Sequence, residues 1–240
     1  MPVLRWSRRA VISRISRRGQ RGGQARPGRD HGRPAAPWAV GWRTVRNRVA
    51  GVLLAAGEGK RLGAPKALVE LGGRRLVDRG ADLLRDGGTA PVVVVTGAAP
   101  VAVPDAVLVP NPDWRTGMGS SLAAGLRALP GACTAAVIAL VDQPLVGAGV
   151  VRRLVAAHRG GADLVVAAYH GRARNPVLLG RRHWAGVIAA AVGDTGARPY
   201  LRAHPGLVTL VECADIAAPD DVDTPEDLAR VGALLSSPGA

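Results

Sequence analysis

Apolar residues in this chain come in short runs separated by amphipathic stretches. The runs Val49 to Ala55, Pro91 to Thr96, Ala106 to Val109, Thr134 to Val141, Asp163 to Ala168 and Gly206 to Cys213 read as strands, several of them apolar on both faces. Between them, Arg75 to Arg85, Ser120 to Leu129, Gly147 to His158, Arg181 to Ala190, Thr195 to Ala203 and Thr224 to Leu235 carry helical periodicity. Alternation of this kind predicts an α/β fold with a mostly parallel sheet covered by helices on both faces. Ligands of such sheets sit beyond the carboxyl ends of the strands, which singles out the loops after Ala55, Val109 and Val141. No internal repeat is present.

The pattern begins only at Val49. Residues 1–48 are rich in Arg, Gly, Pro and Ser without apolar periodicity and cannot bury enough surface to fold. They are expected to be a disordered basic extension or the product of a translation start set too far upstream, with an Arg/Ser-rich targeting segment as the third reading. Residues 49–240 are expected to form a single domain. The formal charge of +14 divides accordingly, with 13 Arg against Asp30 in the first 48 residues and an excess of only +2 in the remainder. A nucleic-acid footprint would place that excess on a folded face, so no nucleic-acid partner is expected.

At 240 residues and 48% hydrophobic content the chain can build a sizeable core, and with no Phe that core must be Ala, Val and Leu. Cys133 and Cys213 are too isolated for a disulfide framework or zinc site and read as buried apolar residues. No run approaches the roughly 20 apolar residues that span a bilayer, and no signal-peptide apolar region follows Arg8-Arg9. A cytoplasmic protein without a membrane partner is the expectation.

Of 32 basic residues only two are lysine, Lys60 and Lys66, and both lie in one loop. The strand ending at Leu54-Ala55 runs into Ala56-Gly57-Glu58-Gly59-Lys60-Arg61-Leu62-Gly63-Ala64-Pro65-Lys66. Glycines there let backbone N–H groups approach an anionic oxygen, while Arg61 and Lys66 add side-chain charge. A plain strand-to-helix turn explains the glycines alone; with Arg61, Pro65 and Lys66 the combination points to nucleotide phosphates. It is neither a Walker loop nor Gly-x-Gly-x-x-Gly, since the last spacing differs.

Leu54-Ala55-Ala56-Gly57-x-Gly59-x-Arg61-x-Gly63-x-Pro65-Lys66 resembles the signature of nucleotidyltransferases related to the molybdenum cofactor cytidylyl- and guanylyltransferases. The resemblance extends over residues 49 to 235 and implies a Rossmann-like three-layer nucleotidyltransferase fold. It implies that Leu54, Ala55, Ala56, Gly57 and Gly59 bind the nucleotide. Arg61 and Lys66 would be catalytic, contacting the triphosphate, with Lys66 stabilising charge on the α-phosphate. Ala56 resembles the cytidylyl branch, the guanylyl branch usually having Gly there. Lys60 falls on a variable position.

Asn111-Pro-Asp-Trp-Arg-Thr-Gly117-Met-Gly119-Ser120-Ser121 opens a helix, where small polar residues cap the helix or donate to a ligand. By resemblance the run lines the nucleotide pocket, making Gly119, Ser120 and Ser121 binding candidates; Trp114 reads as packing rather than base stacking. Asp142, ending a buried strand, needs a cation, and magnesium suits one or two carboxylates together with substrate phosphates. A helix-capping role for it is poor because Pro144 intervenes. Glu226 and Asp227 are explained by the helix start Thr224-Pro-Glu-Asp. Asp223 just outside that helix is by resemblance the second magnesium ligand, with Asp221 the fallback.

Gly171-Arg-Ala-Arg-Asn175-Pro176 resembles a segment where relatives carry Gly-His-Pro, so Asn175 is the acceptor-binding candidate in place of that His. Asp194, in Gly193-Asp-Thr-Gly-Ala-Arg198, falls in what would be the acceptor-facing part and could simply cap a helix. His158, His170, His183 and His204 show no ligand spacing and read as surface or satisfied residues. The resemblance implies magnesium-dependent transfer of CMP from CTP to a phosphorylated acceptor such as molybdopterin, with release of pyrophosphate. Methylerythritol phosphate, sugar phosphates or phospholactate as acceptor, GTP as donor, and a non-catalytic nucleotide-binding partner in molybdoenzyme maturation are the alternatives.

Overall fold

The computed structural model of the protein describes residues 48–236; the expected Arg-rich extension, apart from Arg48, lies outside the described residues. Seven strands form one sheet in the order β5-β4-β1-β6-β8-β7-β9. They are β1 (Arg48–Leu54), β4 (Val92–Thr96), β5 (Val107–Pro110), β6 (Cys133–Leu140), β7 (Leu164–Tyr169), β8 (Arg172–Gly180) and β9 (Val208–Glu212). Every pair is parallel except those made by β8. A separate hairpin, β2 (Glu70–Leu71) and β3 (Arg74–Arg75), follows the Lys66 segment.

The side-chain period of two divides each strand between two cores. Val49, Leu53, Val94, Val137, Val165 and Leu178 face α1 (Leu76–Asp86), α3 (Ala148–Arg159) and α6 (Pro225–Ser236). Val52, Val93, Val95, Ile138, Val177 and Leu179 face α2 (Met118–Ala128), α4 (Trp184–Ala190) and α5 (Arg198–Ala203). This is the three-layer Rossmann-like α/β arrangement. With no Phe to span the gap, helix and sheet approach closely: a Cβ on Gly80 of α1 would stand 2.6 Å from Leu53, and one on Gly125 of α2 would stand 2.5 Å from Val52. Cys133 and Cys213 are both free and buried. Among the described residues no helix is long and apolar enough to cross a membrane.

Three local expectations need correction. The sequence periodicity passed over β8, because its first half carries Arg172, Arg174 and Asn175 and only its second half is buried. The helix expected over Thr195–Ala203 starts at Arg198, since Gly196 adopts φ 56° and breaks it from the short turn Gly193–Thr195. The helix expected from Arg181 begins with one 3-10 turn, and α4 proper starts at Trp184.

A polar chain centred on the buried His183 ties α4 and α5 to the sheet. His183, only 6% exposed, meets the Tyr200 hydroxyl through Nδ1 at 3.0 Å. Arg182 Nε donates to His183 Nε2 at 3.2 Å and pairs with Asp163 at 2.6 Å. Since Nε2 must accept from Arg182, the proton of neutral His183 sits on Nδ1 and is donated to Tyr200. Burial, then the charge of Arg182, and to a lesser degree His204 lower the His183 pKa, with Asp163 opposing.

A histidine held neutral in the native state binds its proton more readily when unfolded, so its stabilisation is complete above the unfolded pKa of about 6.5 and is lost as pH falls below it. Urea unfolding between pH 7.5 and 5 is expected to show stability falling with acidification, and His183→Asn to flatten that decline. An equal decline in the variant would assign the effect elsewhere.

Candidate active site

The carboxyl ends of β1 and β6 lie side by side, joined past their last residues by Val141 N–H donating to Leu54 O at 3.2 Å. From β1 the chain enters the glycine-rich loop. Its turn closes with Leu62 N–H donating to Gly59 O at 2.9 Å, and Gly59 sits at φ 62°, where a Cβ would come 2.1 Å from Ala64 O. After Pro65 a short 3-10 turn, Lys66–Leu68, starts on Lys66 and aims its side chain back over the sheet edge.

Lys66 Nζ donates to Asp142 Oδ2 at 2.6 Å and to Asp223 Oδ1 at 2.5 Å. Arg61 closes the group from outside, its Nη2 2.8 Å from Asp223 Oδ2. Asp142 arrives from the end of β6, and Asp223 from the irregular stretch between β9 and α6. Burial pulls the Lys66 pKa down, but the opposing pull of Asp142 and then Asp223 prevails and leaves it raised. Asp223 is held below the usual carboxylate range, chiefly by the Lys66 hydrogen bond and further by Arg61. The four side chains form a closed set of two positive and two negative charges.

One atom stands outside this balance. Asp142 Oδ1 is buried with no hydrogen-bond partner, and a buried polar atom so placed calls for a ligand or cation. Among the described residues no three His, Cys, Asp or Glu side chains cluster as a metal site. Two carboxylates with one oxygen free nonetheless fit magnesium, which takes one or two carboxylates and completes its shell with water and phosphate oxygens. Beside them opens a cavity of about 570 Å³, bounded by Leu54, Ala56 to Glu58, Lys60 and Lys66 on the loop side and by Trp114, Arg115, Met118 and Ser121 on the α2 side. That volume is within the range of small-molecule sites, about 300–1,000 Å³.

A phosphate-type loop, paired carboxylates and a nucleotide-sized cavity at the carboxyl edge agree with what comparison of the chain with known proteins returns. Residues 51–208 match the family model described as MobA-like NTP transferase domain. The chain belongs to this family. It is therefore a nucleotidyltransferase enzyme.

Among relatives of this MobA-like protein, a nicotine blue oxidoreductase from Paenarthrobacter nicotinovorans is 41% identical over 76% of this chain and 96% of its own length. A crystal structure of the Mycobacterium tuberculosis Rv0371c homologue from Mycobacterium sp. strain JC1 is 30% identical with a TM-score of 0.67, covering 80% of this chain and 98% of that one. Rv0371c of M. tuberculosis, solved as a complex with manganese, is 25% identical with a TM-score of 0.63, covering 80% of this chain and all 100% of that one. The family match includes Lys66 and Asp142 but ends before Asp223, so it is the folded structure that brings Asp223 to them.

Of the residues expected to bind nucleotide in this MobA-like chain, Leu54, Ala56, Gly57, Lys66 and Ser121 line the cavity. Ala55 lies beneath it, buried, with its N–H donating to Val95 O at 3.0 Å. Gly59 shapes the loop and Arg61 faces Asp223 rather than the cavity.

Gly119 and Ser120 are corrections. A Cβ on Gly119 would stand 2.2 Å from Ala191 O, so this glycine serves the contact between α2 and the loop after α4. The Ser120 hydroxyl lies 2.8 Å from Gly117 O and 3.0 Å from Asp113 O, and accepts from Asn111 Nδ2, so it serves the start of α2. Asn175 does not line the cavity either; it lies where β8 leaves its pairing with β6, which ends at Val177.

The cavity wall also holds Trp114 and Arg115, from the run that by resemblance lines the pocket, and Asp194 from beyond it. Arg115 lies over the Trp114 ring at 4.4 Å from its centroid, and both line the cavity. Asp194 reaches across from the loop after α4, accepting from Met118 N–H at 3.2 Å. Its acidic position beside Gly193 and Gly196 was visible in the sequence, but its contact with α2 was not.

Gly59→Ala is expected to break the loop turn, since its backbone angle and the 2.1 Å approach to Ala64 O exclude a methyl group. A destabilisation of about 1–3 kcal/mol by chemical denaturation, with loss of nucleotide binding, is the expected result. Unchanged stability and binding would mean that the turn is not required.

Proposed function

We propose that the chain transfers CMP from CTP to a small phosphorylated acceptor such as molybdopterin, releasing pyrophosphate, with magnesium as the metal. The observation that carries this reading is Lys66 Nζ shared between Asp142 and Asp223 at the mouth of a nucleotide-sized cavity. Lys66 and Arg61 are the proposed catalytic residues. The loop from Leu54 to Gly59 is the proposed nucleotide cradle, with Ser121 on the facing wall; Gly119 and Ser120 support that wall from behind. Asn175 is retained as the acceptor-side candidate because β8 adjoins β6 at the edge that carries Asp142.

In this reading an oxygen of the acceptor phosphate attacks the α-phosphorus, the bond to the bridging oxygen breaks, and pyrophosphate leaves with the electron pair. No protein nucleophile is needed, because catalysis consists of positioning and charge stabilisation. Asp142 and Asp223 would hold magnesium, which would supply positive charge against the negative charge developing on the phosphoryl oxygens. Lys66 neutralises these carboxylates through its hydrogen bonds to both. With the carboxylates holding magnesium, the Lys66 ammonium would be free to contact the phosphates and Arg61 to hold the leaving pyrophosphate. CTP is favoured over GTP because Ala56 in the loop signature resembles the cytidylyl branch, where the guanylyl branch usually has Gly.

A second reading rests on the relative named nicotine blue oxidoreductase. Both are decided on one preparation, by pyrophosphate release from CTP, GTP, ATP or UTP with molybdopterin and other phosphorylated acceptors, and by reduction of nicotine blue with NADH or NADPH. Release restricted to CTP supports the proposal; dye reduction without release from any nucleotide overturns it.

Lys66→Arg keeps the charge but replaces a compact ammonium with a planar fork, and should lower kcat by about a hundredfold or more. Near-normal turnover would show that only charge matters. Lys66→Met should abolish turnover yet bind Mn²⁺ without nucleotide about tenfold more tightly than the native chain, a change of about 1.4 kcal/mol. Weaker Mn²⁺ binding in that variant would contradict the exchange of lysine for metal.

A further inference from the structure

Gln143 has no part in the chemistry above, yet it is one of six buried polar side chains among the described residues, at 6% exposure. Its Nε2 donates to Asp221 Oδ1 at 2.8 Å. A buried amide donor of this kind is ordinarily matched to a fixed acceptor. The residue before Gln143 is Asp142, and the residue after Asp221 is Val222, whose N–H donates to Asp142 O at 2.8 Å. Two segments distant in sequence are thus joined by adjacent side-chain and backbone bonds, above a Val222 side chain with no exposure at all.

Asp223 comes next in the chain. Its own N–H is held by Asp227 Oδ2 at 3.2 Å, within the start of α6. The stretch carrying it leaves β9 at the sheet edge and must pass β7 and β8 to reach β6. No ladder of the sheet therefore sets its distance from Asp142. That distance is fixed at one end by the helix start and at the other by the bonds through Gln143 and Val222.

We propose that Gln143 is a positioning residue for nucleotidyl transfer, and that its bond to Asp221 is the strut that sets Asp223 opposite Asp142. The proposal rests on the reading of those two aspartates as the cation site. Residue chemistry agrees with the role. Glu at 143 would repel Asp221, and Lys or Arg would offer the carboxylates a second cation in competition with Lys66. Asp221, turned to Gln143, receives no hydrogen bond from Lys66, whose ammonium goes to Asp142 and Asp223. Asp221 thereby belongs to the strut rather than to the cation site.

The test compares the native chain with Gln143→Leu, Asp221→Leu and Asp221→Asn, the last keeping an Oδ1 acceptor for Gln143. Amide hydrogen exchange at Val222 reads the strut without any ligand. Exchange there is expected to speed up about tenfold in both Leu variants, with unchanged core amides, and to stay near native in Asp221→Asn. Titration with Mn²⁺ alone should show Mn²⁺ affinity falling about tenfold in either Leu variant and no further in the double Leu variant, as for two partners in one contact. In pyrophosphate release kcat should fall while KM for CTP holds.

Native-like Val222 exchange in both Leu variants would overturn the strut. Loss of Mn²⁺ affinity in Asp221→Asn with Val222 still protected would instead make Asp221 a ligand and overturn its assignment. If the native chain itself neither binds Mn²⁺ nor releases pyrophosphate, the proposed function fails, while Val222 exchange still decides the strut.

Discussion

The site is organised around one ammonium group. Lys66 Nζ lies within 2.6 Å of carboxylates from two distant parts of the chain, and Arg61 completes the group on Asp223. Two carboxylates gathered at the end of a buried sheet would repel one another and lose hydration unless a cation stood between them. Lys66 supplies that cation from the loop after β1, and so brings three chain segments to one point. Beside this group Asp142 keeps one buried oxygen without a hydrogen-bond partner.

The sheet makes this convergence possible. Six of its seven strands point the same way, so the ends of β1 and β6 open at one edge, with the cavity above them. Close approach of helices through Gly80 and Gly125 replaces the bulk that aromatic residues would otherwise give. It also leaves α2 with its first turn beside the phosphate-type loop. The loop after α4 then seals that turn, with Gly119 against Ala191 and Asp194 on the Met118 N–H. Residues that looked like nucleotide contacts in the sequence, Gly119 and Ser120, are taken up by this packing.

Most of the fold was legible because buried parallel strands are nearly continuous apolar runs and the helices between them keep a 3.6-residue period. β8 was not legible, since its first half, though paired with β7, is exposed and carries Arg172 and Arg174, and the buried remainder is too short to stand out. The loop signature pointed to Lys66 and Arg61, and the end of a buried strand to Asp142; Lys66 bonds Asp142 directly and Arg61 joins them through Asp223. Asp194 and Gln143 were not separable in the sequence from a cap and from the neighbour of a metal-type aspartate. Each acts on a partner tens of residues away, and one chain carries no record of such contacts.

What the sequence determined by itself is the layer architecture, the phosphate-type loop and the identity of the charged groups, because periodicity, glycine spacing and residue chemistry are local properties. What only the tertiary structure decided is how Asp223, favoured by resemblance, is brought to Lys66, and where Asp142 keeps an oxygen free. Choosing Asp223 over Asp221 depends on the path of an irregular crossing and on its fastening by Gln143 and Val222. A hydrogen bond acts over about 3 Å and has no periodic trace in sequence, so the contacts that separate Asp223 from Asp221 appear only when the chain is folded.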